Sequence, residues 1–317
     1  MKKIIFIFII FLIIISSVIF SLINTNQTIM ITAIQKSYSC VSTYEENDTF
    51  EVILYLSNKR SSITNKKMIN NCYISDENTL DQIKLELLEI QDLKYNEKIK
   101  NQNFHLFSYV FEIKSFVDEE YELNFNKATL LLETSDNSYN IKLGSFYYYK
   151  MPFYGDNEHY ISISKLSPIL EKVKGNKTIV ALNMIISNDS KNDIEIIDVK
   201  LLNSIVYPSL EEILIEKNIN IQKSLSSLLG YNYQLFNDIV EEEFVDLEIN
   251  KNSGIEILIP LKYRDYYNIN TIGFVLNYQI KGENDIHKYY FDDFIFFTSN
   301  NIIVNEDEMV ISRYENS

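Results

Sequence analysis

Residues 128–150 read ATLLLETSDNSYNIKLGSFYYYK, and residues 271–297 read TIGFVLNYQIKGENDIHKYYFDDFIFF. Each is an apolar strand, a polar turn and an aromatic strand. In the first, Leu130 and Leu132 share a face, Ser135 to Ser138 make the turn, and Ile141 and Leu143 return. In the second, Ile272, Phe274, Leu276, Tyr278 and Ile280 share a face before the turn at 281–285. Side chains alternate across a strand, so a period of two marks antiparallel sheets with one buried face. Asn, Asp and Gly tolerate left-handed backbone and suit the bends.

The pattern extends outward from both copies. Val52, Leu54 and Leu56 alternate in FEVILYLS, and Ile83, Leu85 and Leu87 in QIKLELLEI. Phe107, Tyr109, Phe111 and Ile113 follow, then Ile255, Ile257, Ile259 and Leu261. Several strands precede each copy, so each reads as the closing hairpin of its own sandwich. The fold expected is mainly all-β: two tandem immunoglobulin-like antiparallel β-sandwiches behind an N-terminal transmembrane helix. The first spans 28–158 and the second 159–303, joined by KMPFYGDNEHY at 150–160, with a tail at 304–317. A single large jelly roll gives much the same pattern. One stretch differs: PSLEEILIEKNINIQKSLSSLLG at 208–230 approximates helical spacing. Ser209 with Glu212 resembles a capping box and Gly230 a stop, which predicts a short helical insert near 209–229.

Residues 1–25 form a membrane anchor or signal peptide. Lys2 and Lys3 precede an apolar run at 4–23. At about 1.5 Å per residue it crosses a hydrocarbon core of roughly 30 Å. The positive flank keeps the N-terminus cytoplasmic, which puts the rest outside the cell membrane on a single-pass anchor. Cleavage, and a secreted protein, is the alternative, although SSVIFSLINT holds no good A-x-A site. Cys40 and Cys72 are the only cysteines. They read either as an exported disulfide or as two buried thiols.

Composition excludes several chemistries. Net charge is −15, from 44 acidic and 29 basic residues, which repels nucleic acid and disfavours a polybasic grip on anionic lipid. The seven glycines are too dispersed for a phosphate-cradling loop. His105, His159 and His287 form no metal-binding spacing. NDSKND clusters oxygen ligands without the Gly and closing Glu of an EF-hand loop. The acidic runs at 117–122 and 240–244 read as solvated faces, with an envelope hydrolase using an acidic pair as the alternative. Nothing in the residues asks for a cofactor or a metal, and the chain reads as no enzyme.

Aromatic clusters are the distinctive feature. Around the proposed linker stand Tyr147, Tyr149, Phe153 and Tyr154. If Phe146 and Tyr148 enter the core, Tyr147 and Tyr149 face the other way, either as an exposed contact patch or as packing between the two domains. Tyr263 and Tyr267 are four apart in YRDYY. This Y-x-x-x-Y spacing resembles the haem-ligating pattern of NEAT domains, over five residues. The resemblance implies tyrosine-based haem or ligand capture as a further alternative. The function expected is non-enzymatic binding or scaffolding at the cell surface. Its partners would be the membrane through residues 4–23 and a surface protein, in an accessory role to an envelope or transporter complex.

Overall fold

The computed structural model describes residues 28–42, 48–79, 81–113, 120–151, 160–173, 176–215, 247–265, 268–269, 271–295 and 309–314. The anchor expected at 1–25, and the helical insert beyond residue 215, lie outside them. Among the described residues no helix is long and apolar enough to cross a membrane. The protein is mainly β, in several sheets.

The first body contains β1 (Ile29–Ala33), β2 (Lys36–Ser42), β3 (Asp48–Leu56), β4 (Ile69–Asp76), β5 (Gln82–Ile99), β6 (Gln102–Ile113), β7 (Tyr121–Thr134) and β8 (Ser138–Lys150). They bond laterally in the order β2-β8-β7-β4-β5-β6-β3-β1. This sheet folds over on itself. Phe50 of β3 and Phe146 of β8 are far apart along it, yet their ring centroids lie 5.4 Å apart. The fold occurs along β5, which is 18 residues long. Its start pairs with β4, and Leu85–Ile99 pairs with β6, so one strand belongs to both layers. Register shifts at Leu87/Glu89 and Asp92/Asn96 let it bend, as bulges do. The connectivity of β1-β3-β6-β5 against β4-β7-β8 is the A-B-E-D against C-F-G of an immunoglobulin sandwich. β2 then runs parallel to β8 at the second layer's edge, only Ile34 and Gln35 after β1.

The second body contains β9 (Ile161–Val173), β10 (Asn176–Asn188), β11 (Ile194–Leu202), β12 (Val206–Pro208), β13 (Leu214–Ile215), β14 (Leu247–Ile249), β15 (Gly254–Tyr263), β16 (Asn268–Ile269), β17 (Thr271–Ile280) and β18 (Ile286–Ile295). One sheet runs β9-β10-β15, with β12 and β13 on the far side of β15. The other runs β14-β11-β17-β18. This is A-B-E against C′-C-F-G. Leu182 and Met184 of β10 and Ile257 and Ile259 of β15 share a core with Ile196 of β11 and Leu276 of β17. That core is separate from the one holding Val52, Tyr109, Leu130 and Phe146.

Two features differ from the sequence expectation. Within the described part of the expected helical insert, Leu210–Glu212 is one 3-10 turn and β13 is a strand on the β15 edge. Ser209 Oγ bonds the Glu212 carboxylate at 2.7 Å instead of capping an α-helix. The apolar run Ile213 to Ile215 gains more from pairing with β15 than from a helical turn. Second, the region expected as a tail contains β19 (Ser312–Tyr314), which pairs with β1. Tyr314 Oη donates to Asn140 O at 2.5 Å and accepts from Asn140 N at 2.8 Å.

Candidate functional site

Alternation along β8 puts Phe146 and Tyr148 in the first core and Tyr147 and Tyr149 on the opposite face. That opposite face is not open. The β11-β17-β18 face of the second body lies against it, and Tyr147 and Tyr149 are 1% and 2% exposed. They pack with Met151, Leu202 and Val275, flanked by Val41 and Tyr290. Of the two roles open to these tyrosines, an exposed patch is corrected: they form the apolar centre of a junction between the bodies. Phe153 and Tyr154 lie outside the described residues.

Polar contacts rim this centre. Tyr147 Oη donates to Glu122 at 2.8 Å, and Tyr149 Oη donates to Glu120. Both carboxylates also meet lysines of the second body: Lys200 pairs with Glu122, and Lys288 with Glu120 at 3.0 Å. Lys200 Nζ sits 5.8 Å above the Tyr149 ring. On the β2 side, Ser39 Oγ donates to Leu202 O at 2.6 Å and Ser37 Oγ to Asn203 Oδ1 at 3.1 Å. β16 extends the first sheet by pairing parallel to β2. Partial burial works against the Glu120 charge, but the Tyr149 hydroxyl and Lys288 outweigh it and hold the carboxyl below its usual range. Burial, then Glu122, push the Tyr147 phenol up, so it acts as a neutral donor. The arrangement is an apolar core with a charged rim, the anatomy of a protein interface.

The remaining expected residues scatter. Tyr263 lies in the second core, 1% exposed, and its hydroxyl donates to Ile179 O at 2.6 Å. It faces no groove. Tyr267 lies outside the described residues. Cys40 and Cys72 are thiols buried in the first core, not a disulfide. Burial, aided by Glu133, pushes the Cys72 thiol up to about 12. His105 bonds Asn96 at 2.5 Å, His287 stacks on Tyr278 at 5.3 Å, and His159 lies outside the described residues. Among the described residues no three His, Cys, Asp or Glu side chains are grouped to hold a metal. Of the acidic runs, Glu120 and Glu122 face lysines in the junction, and 240–244 lies outside the described residues.

Sequence reasoning missed a basic end on the first body. A cavity of 510 Å³ is lined by Thr28, Ser57, Asn58, Lys59, Arg60 and His105. Nearby, Lys66 Nζ donates to Leu88 O at 2.6 Å and Lys59 lies 3.7 Å from Asp92. The signal was present: SNKRSSITNKKM at 57–68 holds four cations and no carboxylate. The whole-chain charge of −15 concealed it.

Connectivity and packing together define a mainly β protein of immunoglobulin-like, multi-sheet architecture. No family model matches the sequence, and no curated protein matches it. Among solved structures, a Porphyromonas gingivalis W83 protein of unknown function aligns at 7% identity and TM-score 0.21, covering 82% of this chain and 97% of that one. The C-terminal domain of the Streptococcus agalactiae AgI/II polypeptide BspA aligns at 10% identity and TM-score 0.20, covering 83% and 97%. Bovine butyrophilin aligns at 6% identity and TM-score 0.19, covering 84% and 99%. Scores this low do not mark a common fold, and the class stated here comes from the strand connectivity.

Proposed function

We propose that this chain is a non-enzymatic, membrane-anchored protein of the cell surface. It presents two immunoglobulin-like sandwiches as one stiff unit for binding or scaffolding, in an accessory role to an envelope or transporter complex. The observation that carries this reading is the junction. Tyr147, Tyr149, Leu202 and Val275 bury one face of each body, and two lysine–carboxylate pairs fix its rim. The tyrosines serve rigidity between modules, not ligand capture. Neither alternative finds comparable support: the described acidic run is neutralised by lysines, and the Tyr263 hydroxyl is bonded to backbone.

Location is tested by cysteine accessibility. Ile286 is 61% exposed and both native thiols are buried, so Ile286→Cys supplies one reactive thiol. A membrane-impermeant maleimide should label it on intact cells. Labelling only after lysis overturns the surface reading.

A further inference from the structure

We infer that the basic end of the first body is a docking surface for anionic phospholipid headgroups. The inference rests on the anchored reading above and adds a second membrane contact to it. Three observations converge on this end.

Position comes first. The apolar run 4–23 ends a few residues before Thr28, which lines the cavity. Met30 N donates to Ser57 Oγ, and Leu56 stands opposite His105, so the loop after β3 and the base of the β5–β6 hairpin flank the entering chain. The hairpin tip at Lys100 and Asn101 extends past the level of Thr28 by about 5 Å, at roughly 3.3 Å per residue. Both tip residues have positive φ, the geometry of a tight two-residue turn. Ile99 and Phe104 are buried beside Tyr55 and Met309, which holds the hairpin in place.

Charge comes second. Lys59, Arg60, Lys66, Lys67, Lys94, Lys98 and Lys100 are exposed at this end. Lys59 lies 3.7 Å from Asp92, and Glu86, Glu89 and Glu97 are the other carboxylates of β5. Arg60 is bonded only through its backbone N–H among the described residues. Burial, and then the neighbouring Lys59, lower the His105 pKa, partly offset by Asp92. An anionic headgroup complements the cations, with Ser57, Asn58 and Thr28 as polar partners.

Apolar exposure comes third. Met68, Leu93 and Tyr95 are 39%, 37% and 60% exposed, three of the seven large hydrophobics so exposed in the described structure. Tyrosine flanked by lysine is the composition that settles at a bilayer interface. Anionic lipid attracts such a surface with roughly 1 kcal/mol per cation, a fivefold change in equilibrium constant each. A single weak signal binds reversibly, whereas an anchor plus a basic patch holds stably.

The chain contains no Trp, so Tyr95→Trp makes a sole fluorophore. Full-length protein is assembled into nanodiscs of phosphatidylglycerol or phosphatidylcholine, with headgroup-proximal brominated lipid as quencher. Ile286→Trp serves as the distal control. Lys288 beside it pairs with Glu120 at the far end of β7, about 45 Å from the basic end by strand length. The expected result is a blue-shifted, lipid-quenched Tyr95→Trp in phosphatidylglycerol, weak quenching in phosphatidylcholine, and an unquenched control. Neutralising Lys59, Arg60, Lys66 and Lys67 to Gln should reduce the docked-to-undocked ratio by roughly fivefold per cation. Equal Tyr95→Trp spectra in the two lipids, with the protein in the disc, overturn the docking surface alone. Failure to co-elute with lipid overturns the anchored reading and the docking with it. Glu306, Asp307 and Glu308 directly precede Met309 in sequence. If neutralising them restores lipid dependence to an unresponsive protein, docking by the native chain is likewise overturned.

Discussion

The ring of Tyr149 in the first body stacks on that of Tyr290 in the second, with centroids 6.2 Å apart and planes 29° from parallel. The pair lies beside Leu202 and Val275, with Tyr149 buried and Tyr290 partly buried. Tyr149→Ala therefore removes a buried aromatic from the contact and should cost about 3 kcal/mol. Calorimetry should resolve two melting transitions where the native chain gives one. Lys288→Ala, at the half-exposed rim, should cost under about 1 kcal/mol. The reverse ranking would mean that charge, not packing, joins the bodies.

Glu120 gives the junction a pH dependence. Its carboxyl is held below the ordinary value of 4.5, so the folded state favours the charged form. The stabilisation is fully present above that value and is lost as pH falls through the lower folded value. Acid titration of thermal stability should show a loss below about pH 4.5 that Glu120→Gln diminishes. An unchanged acid limb would show that Glu120 contributes nothing to the contact.

Gly144 holds φ of +108°, and a Cβ there would lie 2.5 Å from Lys36 O. That carbonyl belongs to β2, which pairs with β8 at this residue. Gly144→Ala forces backbone apart as well as straining φ. We expect a loss of about 2 kcal/mol or more in urea unfolding. A neutral substitution would show that the β2 edge yields easily.

Cys40 and Cys72 are 6% and 3% exposed, and the thiol of Cys72 titrates far above neutrality. Only the thiolate reacts with Ellman's reagent. The native protein should therefore react slowly, and two thiols should titrate in guanidinium. No thiol in guanidinium would reveal a disulfide.

Tyr263→Phe should lose about 1 kcal/mol, the net value of one hydrogen bond to Ile179 O. Haemin mixed with the native protein should give no Soret shift. A shift abolished by Tyr263→Phe would reinstate haem capture.

Much of this architecture was legible in the residues. Val52, Leu54 and Leu56, or Ile257, Ile259 and Leu261, alternate so regularly that their strands and buried faces could be read directly. The opposite facing of Tyr148 and Tyr149 was also legible, because the pleat requires it. What covers Tyr149 was not. Leu202, Val275 and Tyr290 lie more than fifty residues downstream and carry no mark of their partner. β19 is three residues, Ser312 to Tyr314, too short for any period to show. At 209–215 an apparent capping box masked a segment whose backbone bonds go to a sheet edge.

The pairing of β1 with β19 has a consequence for biogenesis. β1 precedes every other described strand in sequence, and its outer edge stays open until residues 312–314 leave the ribosome. An unpaired edge strand recruits other chains, and a contact between strands nearly three hundred residues apart forms late. The nascent protein thus passes through a period when β1 is adhesive. Loss of three residues near the far terminus would make that vulnerability permanent.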